Sequence, residues 1–427
     1  MKKIFQYIIL AVVTIVMASC TSDIEETTAT TGKSNVQLVV GEFPAFGDSQ
    51  TRAIGTPDEG KTSWAEGDEL LLEMTSKTLG TKYATFKYNG SSWELASGEL
   101  SYKEDEVPTF PHVYYAPNYK WEAGELVLKE GKVAGTDEYI EGTAEITPNG
   151  QGINVSFAKA TRNYSRLRIA TMPNKPITVA ISTYTPAGSS DMKWDQNYAL
   201  TSDEKGNAYL YGTFENNSEV TVKYREAALT THTFSQATES AKSYALDATV
   251  ISANSAEEIK SAIEQKVADG KTYINLMLAP DVDEETLDAI HIGLLEGDAR
   301  DGTINLTLIG CKKIPSGGFM YWKMLKSIAL PDVTEIAEKA FLDCTRLQKV
   351  VLGNLTKVYG KAGEKGIFEG CRTKDIDLVL SKDQKVMNGG ETEGGYCWTA
   401  DITKDYSSEH NGSVFLDYNF KSITCDY

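Results

Sequence analysis

Histidine and cysteine are the side chains best able to ligate a metal or to serve as base and nucleophile near neutral pH, and in this chain they are sparse. His112, His232, His291 and His410 stand far apart, and none lies at ligand spacing from another or from a cysteine. No C-x-x-C, G-x-S-x-G, H-E-x-x-H, phosphate-binding loop or dinucleotide fingerprint occurs. The acid pairs Glu257-Glu258 and Glu284-Glu285 fall at expected helix starts, where the helix dipole accounts for them. Asp203-Glu204-Lys205-Gly206-Asn207 lacks the carboxylate spacing and distal glutamate of a calcium loop and reads as a turn. No catalytic residue, metal or cofactor is therefore expected, and the chain reads as a binding protein and not an enzyme. The enzyme such a sequence could still conceal is a glycosidase, whose two carboxylates meet only in the fold.

One thiol does have a defined chemistry at the sequence level. Lys2 and Lys3 precede a mostly apolar stretch from Ile4 to Met17, and small residues then lead to Cys20. A basic start, a short apolar core and small residues before a cut make a signal peptide over residues 1–19; the stretch is too short to span a bilayer well. Val16-Met17-Ala18-Ser19-Cys20 resembles a bacterial lipobox, which implies cleavage before Cys20 and acylation of its thiol. The polar, Thr-rich residues 20–34 have little to bury and read as a flexible tether. Their acidic start, Asp23 to Glu26, resembles the signal that sends some lipoproteins of Gram-negative anaerobes to the outer leaflet.

The chain has 427 residues, too many for one ordinary core, and its 60 acidic against 42 basic residues give a net charge of -18. That charge repels phosphate backbones, so no nucleic-acid partner is expected, and it suits a solvated exterior.

From Val36 to about Val250 short alternating strands are broken by turns such as Asn89-Gly90 and Pro186-Ala187-Gly188, the pattern of all-β sandwiches. The length suits two modules, residues 35–150 and 151–250. Three stretches resemble the fimbrillin-like lipoproteins, which include subunits of bacterial surface fimbriae. They are Thr51-Arg52-Ala53 followed by Ser63-Trp64-Ala65-Glu66-Gly67-Asp68, Val155 to Ala160 running into Ser165 to Ile169, and Ser243 to Val250. In polymerising members of that family a trypsin-like protease cuts after an arginine, the first strand leaves, and a partner's strand fills the groove. The resemblance places that bond at Arg52-Ala53 and the departing strand at Val36 to Val40, alternating Val36, Leu38 and Val40 towards one face.

Beyond Val250 the pattern changes. Ser255 and Glu258 have capping-box spacing before a helix through Ile259, Ile263 and Val267 that ends at Gly270. A second helix is predicted over Glu284 to Leu295, with Leu287, Ile290, Leu294 and Leu295 on one face. Then a period of 22 residues sets in: Leu308, Leu330 and Leu352; Leu306, Ile328 and Val350; Ile314, Ile336 and Val358; Phe319 and Phe341. Phe368 follows Phe341 by 27, which indicates a five-residue insertion around Gly360 to Gly366. A fixed period of this length marks a solenoid whose units bury their apolar faces against one another. Ala340 to Val350, with Leu347 in the repeat core and Cys344 and Cys371 closing two F-x-x-C units, resembles the BspA-type leucine-rich repeats of bacterial surface proteins.

The expected architecture is therefore mainly β: two tandem fimbrillin-like β-sandwich domains, then a short, helix-capped α/β BspA-type leucine-rich-repeat solenoid over residues 251–388. Residues 389–427 form a C-terminal tail or cap. Leu378 to Leu380 are expected to begin the last turn. With Cys20 acylated, Cys311, Cys344, Cys371, Cys397 and Cys425 remain, an odd number; Cys397 and Cys425 could pair in an oxidising compartment. The resemblances imply an outer-membrane, lipid-anchored, surface-exposed protein acting as an adhesin or accessory tip or anchor subunit. Its partners would be the membrane through the lipid, fimbrial subunits, host proteins or glycans. The alternative is a glycan-capturing lipoprotein of a nutrient-uptake system, with Trp194, Trp322 and Trp398 as candidate sugar-stacking residues, although tryptophans are more often buried.

Overall fold

Alternation of apolar and polar side chains builds the first curled sheet. Its strands are β1 (Gln37–Val40), β2 (Glu69–Ser76), β3 (Gly80–Tyr88), β4 (Trp93–Gly98) and β5 (Thr109–Tyr115); a hairpin of β6 (Tyr119–Glu122) and β7 (Glu125–Leu128) intervenes before β8 (Ile140–Ile146) and β9 (Gly152–Ser156). In this computed structural model the described residues are 37–46, 60–103, 105–148, 150, 152–158, 162–358, 366–381, 391–392, 395–396, 413–416 and 418–425. The signal segment, Cys20, the tether, the Arg52-Ala53 bond and Cys397 fall outside them, as does most of the insertion before Gly366.

The strand order β1-β9-β8-β5-β2-β3-β4 forms one hydrogen-bonded path, and its margins β1 and β4 approach each other. The expected sandwich is thus a barrel-like sheet closed around one core. Leu70, Leu72 and Met74 of β2 point into that core with Leu38, Phe86, Val113 and Ile153, while Leu71 packs on the other face against Ala116 and Tyr119. Because Ile153 and Val155 belong to this core and β9 pairs with both β1 and β8, the first unit extends past residue 150 to Ser156.

The second sheet contains β10 (Ser165–Ala170), β11 (Pro176–Pro186), β12 (Lys193–Thr201), β13 (Asn207–Phe214), β14 (Glu219–Tyr224), β15 (Ala227–Thr233) and β16 (Ser243–Asp247). Its order is β15-β14-β11-β13-β10-β16, with β12 also on β11. Between the two sheets Phe46 lies under two guanidinium groups, 4.1 Å from Arg162 and 4.9 Å from Arg166. Arg162 is fully buried and forks onto Glu138 at 3.0 and 3.1 Å, and it also donates to the Pro44 carbonyl. The Tyr164 hydroxyl donates to the same carboxylate at 2.6 Å. Burial, and then the Glu138 charge, push the Tyr164 phenol well above its ordinary value, which keeps it a donor.

The remainder begins with α1 (Ala256–Ala268), β17 (Tyr273–Met277) and α2 (Glu284–Glu296), the two α-helices among the described residues. Ser255 caps α1 by accepting from the Glu258 amide while Glu258 accepts from the Asn254 amide; Asp283 caps α2. The buried stripe of α2 is Leu287, Ala289, Ile290, Gly293 and Leu294, whereas Leu295 is exposed. The cause is the close approach of α1: a Cβ at Gly293 would lie 2.7 Å from the Lys260 carbonyl oxygen, so α2 turns its glycine side and not Leu295 inward.

After the helices come β18 (Ile304–Ile309), β19 (Lys313–Ile314), β20 (Leu325–Leu330), β21 (Glu335–Ile336), β22 (Lys349–Leu352), β23 (Lys357–Val358) and β24 (Asp377–Leu380). The tail adds β25 (Glu391–Thr392), β26 (Gly395–Tyr396), β27 (Ser413–Phe415), β28 (Tyr418–Phe420) and β29 (Ser422–Cys425). Six strands, β17-β18-β20-β22-β24-β29, lie side by side in parallel, and β19, β21 and β23 form a second parallel row. The 22-residue period becomes a spatial register. Leu306, Ile328, Val350 and Leu378 are direct neighbours, as are Leu330, Leu352 and Leu380, and Ile314, Ile336 and Val358. The rings of Phe319, Phe341 and Phe368 stack at 5.4 and 5.0 Å. These side chains share one buried cluster with Leu308, Cys344 and Leu347, and Cys371 packs against it partly buried. The array continues beyond Leu380, because the tail returns as β29 beside β24, and Tyr418 and Phe420 set their rings edge-on to Phe368.

Each rung also repeats a left-handed residue: Tyr321 (φ 68), Asp343 (φ 55) and Gly370 (φ 72). Glycine suits this conformation, and a tyrosine there carries strain of order 1 kcal/mol.

Two stability outcomes follow. Phe341→Ala, which removes the middle ring of the stack, is expected to cost about 3–5 kcal/mol in urea unfolding followed by circular dichroism. Glu138→Ala, which strands the Arg162 guanidinium in the junction, is expected to cost about 3–5 kcal/mol in the same assay. Unchanged midpoints would contradict the stacking and the buried pair respectively.

Candidate binding surface

In a parallel array the inward positions are spent on the core, so recognition falls to the outer face and to the turns that feed each strand. Two columns of side chains occupy the outer face here. Thr307, Ala329, Val351 and Val379 are buried, because the second sheet sits on them: Ala227 of β15 packs against Ala329, Val351 and Val379. Around this contact Arg225 donates to the Pro331 carbonyl at 3.2 Å and to Asp332 at 2.5 Å, while Asn275 donates to the Leu229 carbonyl at 2.9 Å. The neighbouring column, Asn305, Ser327, Lys349, Asp377 and Ser422, is half-buried and lies nearer the strand starts.

At those starts a groove of about 400 Å³ opens, lined by Thr345, Arg346, Leu347, Gln348, Arg372, Asp375, Asp377 and Lys421. Rung-to-rung backbone bonds hold its floor: Gln348 N–H to the Lys326 carbonyl at 2.8 Å, Asp377 N–H to Gln348 at 2.9 Å, and Lys421 N–H to Ile376 at 3.0 Å. The Lys421 ammonium donates to Asp377 at 2.8 Å and the Ser422 hydroxyl at 2.5 Å. Partial burial would raise the Asp377 carboxyl, but those two bonds outweigh it and hold the group below its ordinary value. Lys421 and Asp377 therefore neutralise each other. Arg346 and Arg372 are exposed, and neither guanidinium takes an ion-pair or hydrogen-bond partner among the described residues. Exposed Lys323, Lys326 and Lys374 flank them. This edge is basic on a chain of net charge -18, and it can recognise anionic groups by bidentate hydrogen bonding.

The other chemistry-bearing side chains stand apart. Trp322 is 4% exposed and stacks on His291 at 4.6 Å, so it is core and not a sugar platform. Trp194, against the expectation of burial, is 63% exposed on β12, and Trp398 lies outside the described residues. His112 neighbours Tyr114 and Glu141, His232 neighbours Phe234, and His410 is not among the described residues. Cys344 and Cys371 each place sulfur on the carbonyl of the preceding rung's phenylalanine, Phe319 at 3.0 Å and Phe341 at 2.9 Å. A hydrogen bond with Cys371 and burial push the Cys344 thiol up, and burial pushes Cys311 up to about 12. The Cys311 and Cys344 thiols therefore act in packing, with little thiolate at neutral pH. Cys397 and the Cys425 side chain lie outside those described. No spacing signal marked Arg346 and Arg372 in the sequence, because the two lie on different rungs and meet only through the register.

No protein-family model and no curated protein matches the chain. Among solved structures it is similar to a protein from Bacteroides fragilis to which a cell-adhesion role has been provisionally assigned. The two share 11% identity over 50% of this chain and 92% of the other, with a TM-score of 0.26.

The state of Asp377 sets a pH dependence. Its folded value is lowered, so its contribution is complete above the ordinary 3.8 and fades as pH falls through the lowered value. Hydrogen exchange at the Thr424 amide of β29 is expected to quicken below that pH. In Lys421→Met it should already be faster at neutral pH, and identical protection in both proteins would refute a role of the Lys421–Asp377 bond in holding β29 to β24.

Proposed function

We propose that this chain is a lipid-anchored protein of the outer-membrane surface that works by binding. It would be an adhesin or an accessory tip or anchor subunit of the fimbrillin-like kind, with the stacked strands serving as a short BspA-type leucine-rich-repeat domain. One observation carries the reading: the second sheet is seated on the outer face of the parallel array through Ala227 and Arg225, while the groove at Arg346 and Arg372 stays open. Such a seat favours a fixed presentation of the groove, since apolar contact and an ion pair both resist rotation at the joint. The pattern at Cys20 supplies the tether, and residues 20–34 the reach.

Bulk polymerisation fits less well. The strand β16, which lies parallel to β10, runs on through Ile251 into the array, so the second sheet does not end the chain with a strand to donate. A processing step at Arg52-Ala53 is compatible with the position of β1 at the sheet margin beside β9. The second reading, a glycan-capturing lipoprotein, is favoured by the exposed Trp194, whose indole face could stack on a sugar ring.

The test displays the full chain on cells and measures binding to host matrix proteins, bacterial surfaces and a glycan array, alongside incorporation of labelled fatty acid. Expected are acylation that Cys20→Ser abolishes and saturable binding to at least one class of ligand. Turnover of a glycan substrate without retention would replace the binding reading with an enzymatic one. Membrane association that survives Cys20→Ser would remove the anchor.

A further inference from the structure

We infer that the groove between Arg346, Arg372 and Lys421 is a binding site for a carboxylate-bearing saccharide, an inference that rests on the surface-binding reading above.

Two exposed guanidinium groups without a partner among the described residues share one cavity on a strongly acidic chain. Arginine presents a planar fork of N–H donors that matches a carboxylate in two parallel hydrogen bonds, and its charge persists at any physiological pH. The groove is built and not merely exposed. Consecutive rungs hold its floor through backbone bonds, and Gly302 gives the Arg346 stem room, since a Cβ at Gly302 would lie 3.2 Å from the Arg346 Cβ. Lys421 is occupied by Asp377, so the ligand charge must be met by the two arginines.

The remaining lining separates a sugar from an acidic peptide. Thr345 and Gln348 both donate and accept, and the exposed Asp375 carboxylate accepts only. A sugar ring brings hydroxyl groups that need both kinds of partner. A run of aspartate or glutamate would bring several charges against the exposed Asp375. The volume of about 400 Å³ falls in the size class of small-molecule sites, roughly 300–1,000 Å³, which suits one or two rings. On the neighbouring rung the strained, 53% exposed Tyr321 offers a flat apolar surface of the kind that stacks on sugars, bonded through its amide to Leu342, three residues from Thr345.

Isothermal titration of the full-length chain checks this, with digalacturonate and sialyllactose as probes, methyl-esterified digalacturonate as the uncharged control, and poly-glutamate as the peptide arm. Expected are binding of at least one acidic sugar that weakens with added salt, loss of binding to the ester, and a drop of about tenfold for each of Arg346→Ala and Arg372→Ala. Both side chains are exposed, so the thermal midpoint of these variants should match the parent and any loss is not misfolding. Equal affinity for the ester, unchanged binding by both variants, or preference for poly-glutamate would overturn the inference. So would silence towards both acidic sugars. Retained binding of the variants to another ligand in the cell-display assay would then leave the surface-binding reading standing, whereas absence of any ligand there would remove both.

Discussion

An apolar stripe that recurs every 22 residues has only its own copies to pack against, and the architecture after Val250 follows from that constraint. Each rung lends Leu330, Leu352 or Leu380 to its neighbour, and each phenylalanine ring covers the next. A stack of so few rungs has two raw ends. The first is closed by α1, α2 and β17, whose Ile259, Ile263 and Leu287 enter the same cluster. The second is closed by β28 and β29, which place Phe420 and Ile423 over the last phenylalanine rung. Without such ends the terminal leucines would face water, at about 25 cal/mol for each Å² of apolar surface.

The same constraint determines where a ligand can reach. Inward positions are committed to the stack, and the outer face is committed in its centre to the contact with Ala227. What is left is the edge where turns feed the strands, and there side-chain type is free to vary from rung to rung. Thr345 and Arg346 on one turn and Arg372 on the next occupy this unconstrained position. A basic edge on an acidic molecule also acts at a distance, because the surrounding charge repels anions everywhere else.

How much of this could be read in the sequence depends on whether a signal was local or periodic. The period located the recurring strand and phenylalanine positions of the stacked core from Leu306 to Phe368, since register in a parallel array is sequence spacing made spatial, but it did not single out Trp322, Leu325, Val333 or Leu355 of the same cluster. Ser255 with Glu258 located the first helix because a cap is a contact between residues three apart. Contacts set by remote partners were not legible. The tail strand β29 has no periodic mark, Leu295 depends on how α1 approaches Gly293, and the end of the first sheet depends on β9 finding β1. The exposure of Trp194 and the grouping of Arg346 with Arg372 are likewise properties of packing and not of composition.

The N-terminal segment shows how tightly a marginal strand can be tied. Beyond β1, Phe43 meets Trp64 and Tyr115 edge-on at 4.9 and 5.5 Å, the Trp64 indole donates to the Gly41 carbonyl at 2.8 Å, and Phe46 fills the space beneath Arg162 and Arg166. Six residues, Gly41 to Phe46, thus strap both curled sheets. Removing them would open an aromatic pocket, strip a cation–π partner from two arginines and take the Pro44 carbonyl from a buried guanidinium whose other hydrogen-bond partner among the described residues is Glu138. Losses of this kind are steep in a desolvated junction, so backbone cleavage nearby would leave the strand in place by its contacts alone. Only a replacement that supplied a paired edge, two aromatic rings and a carbonyl acceptor at matching spacing could displace it, and that requirement would make any exchange selective.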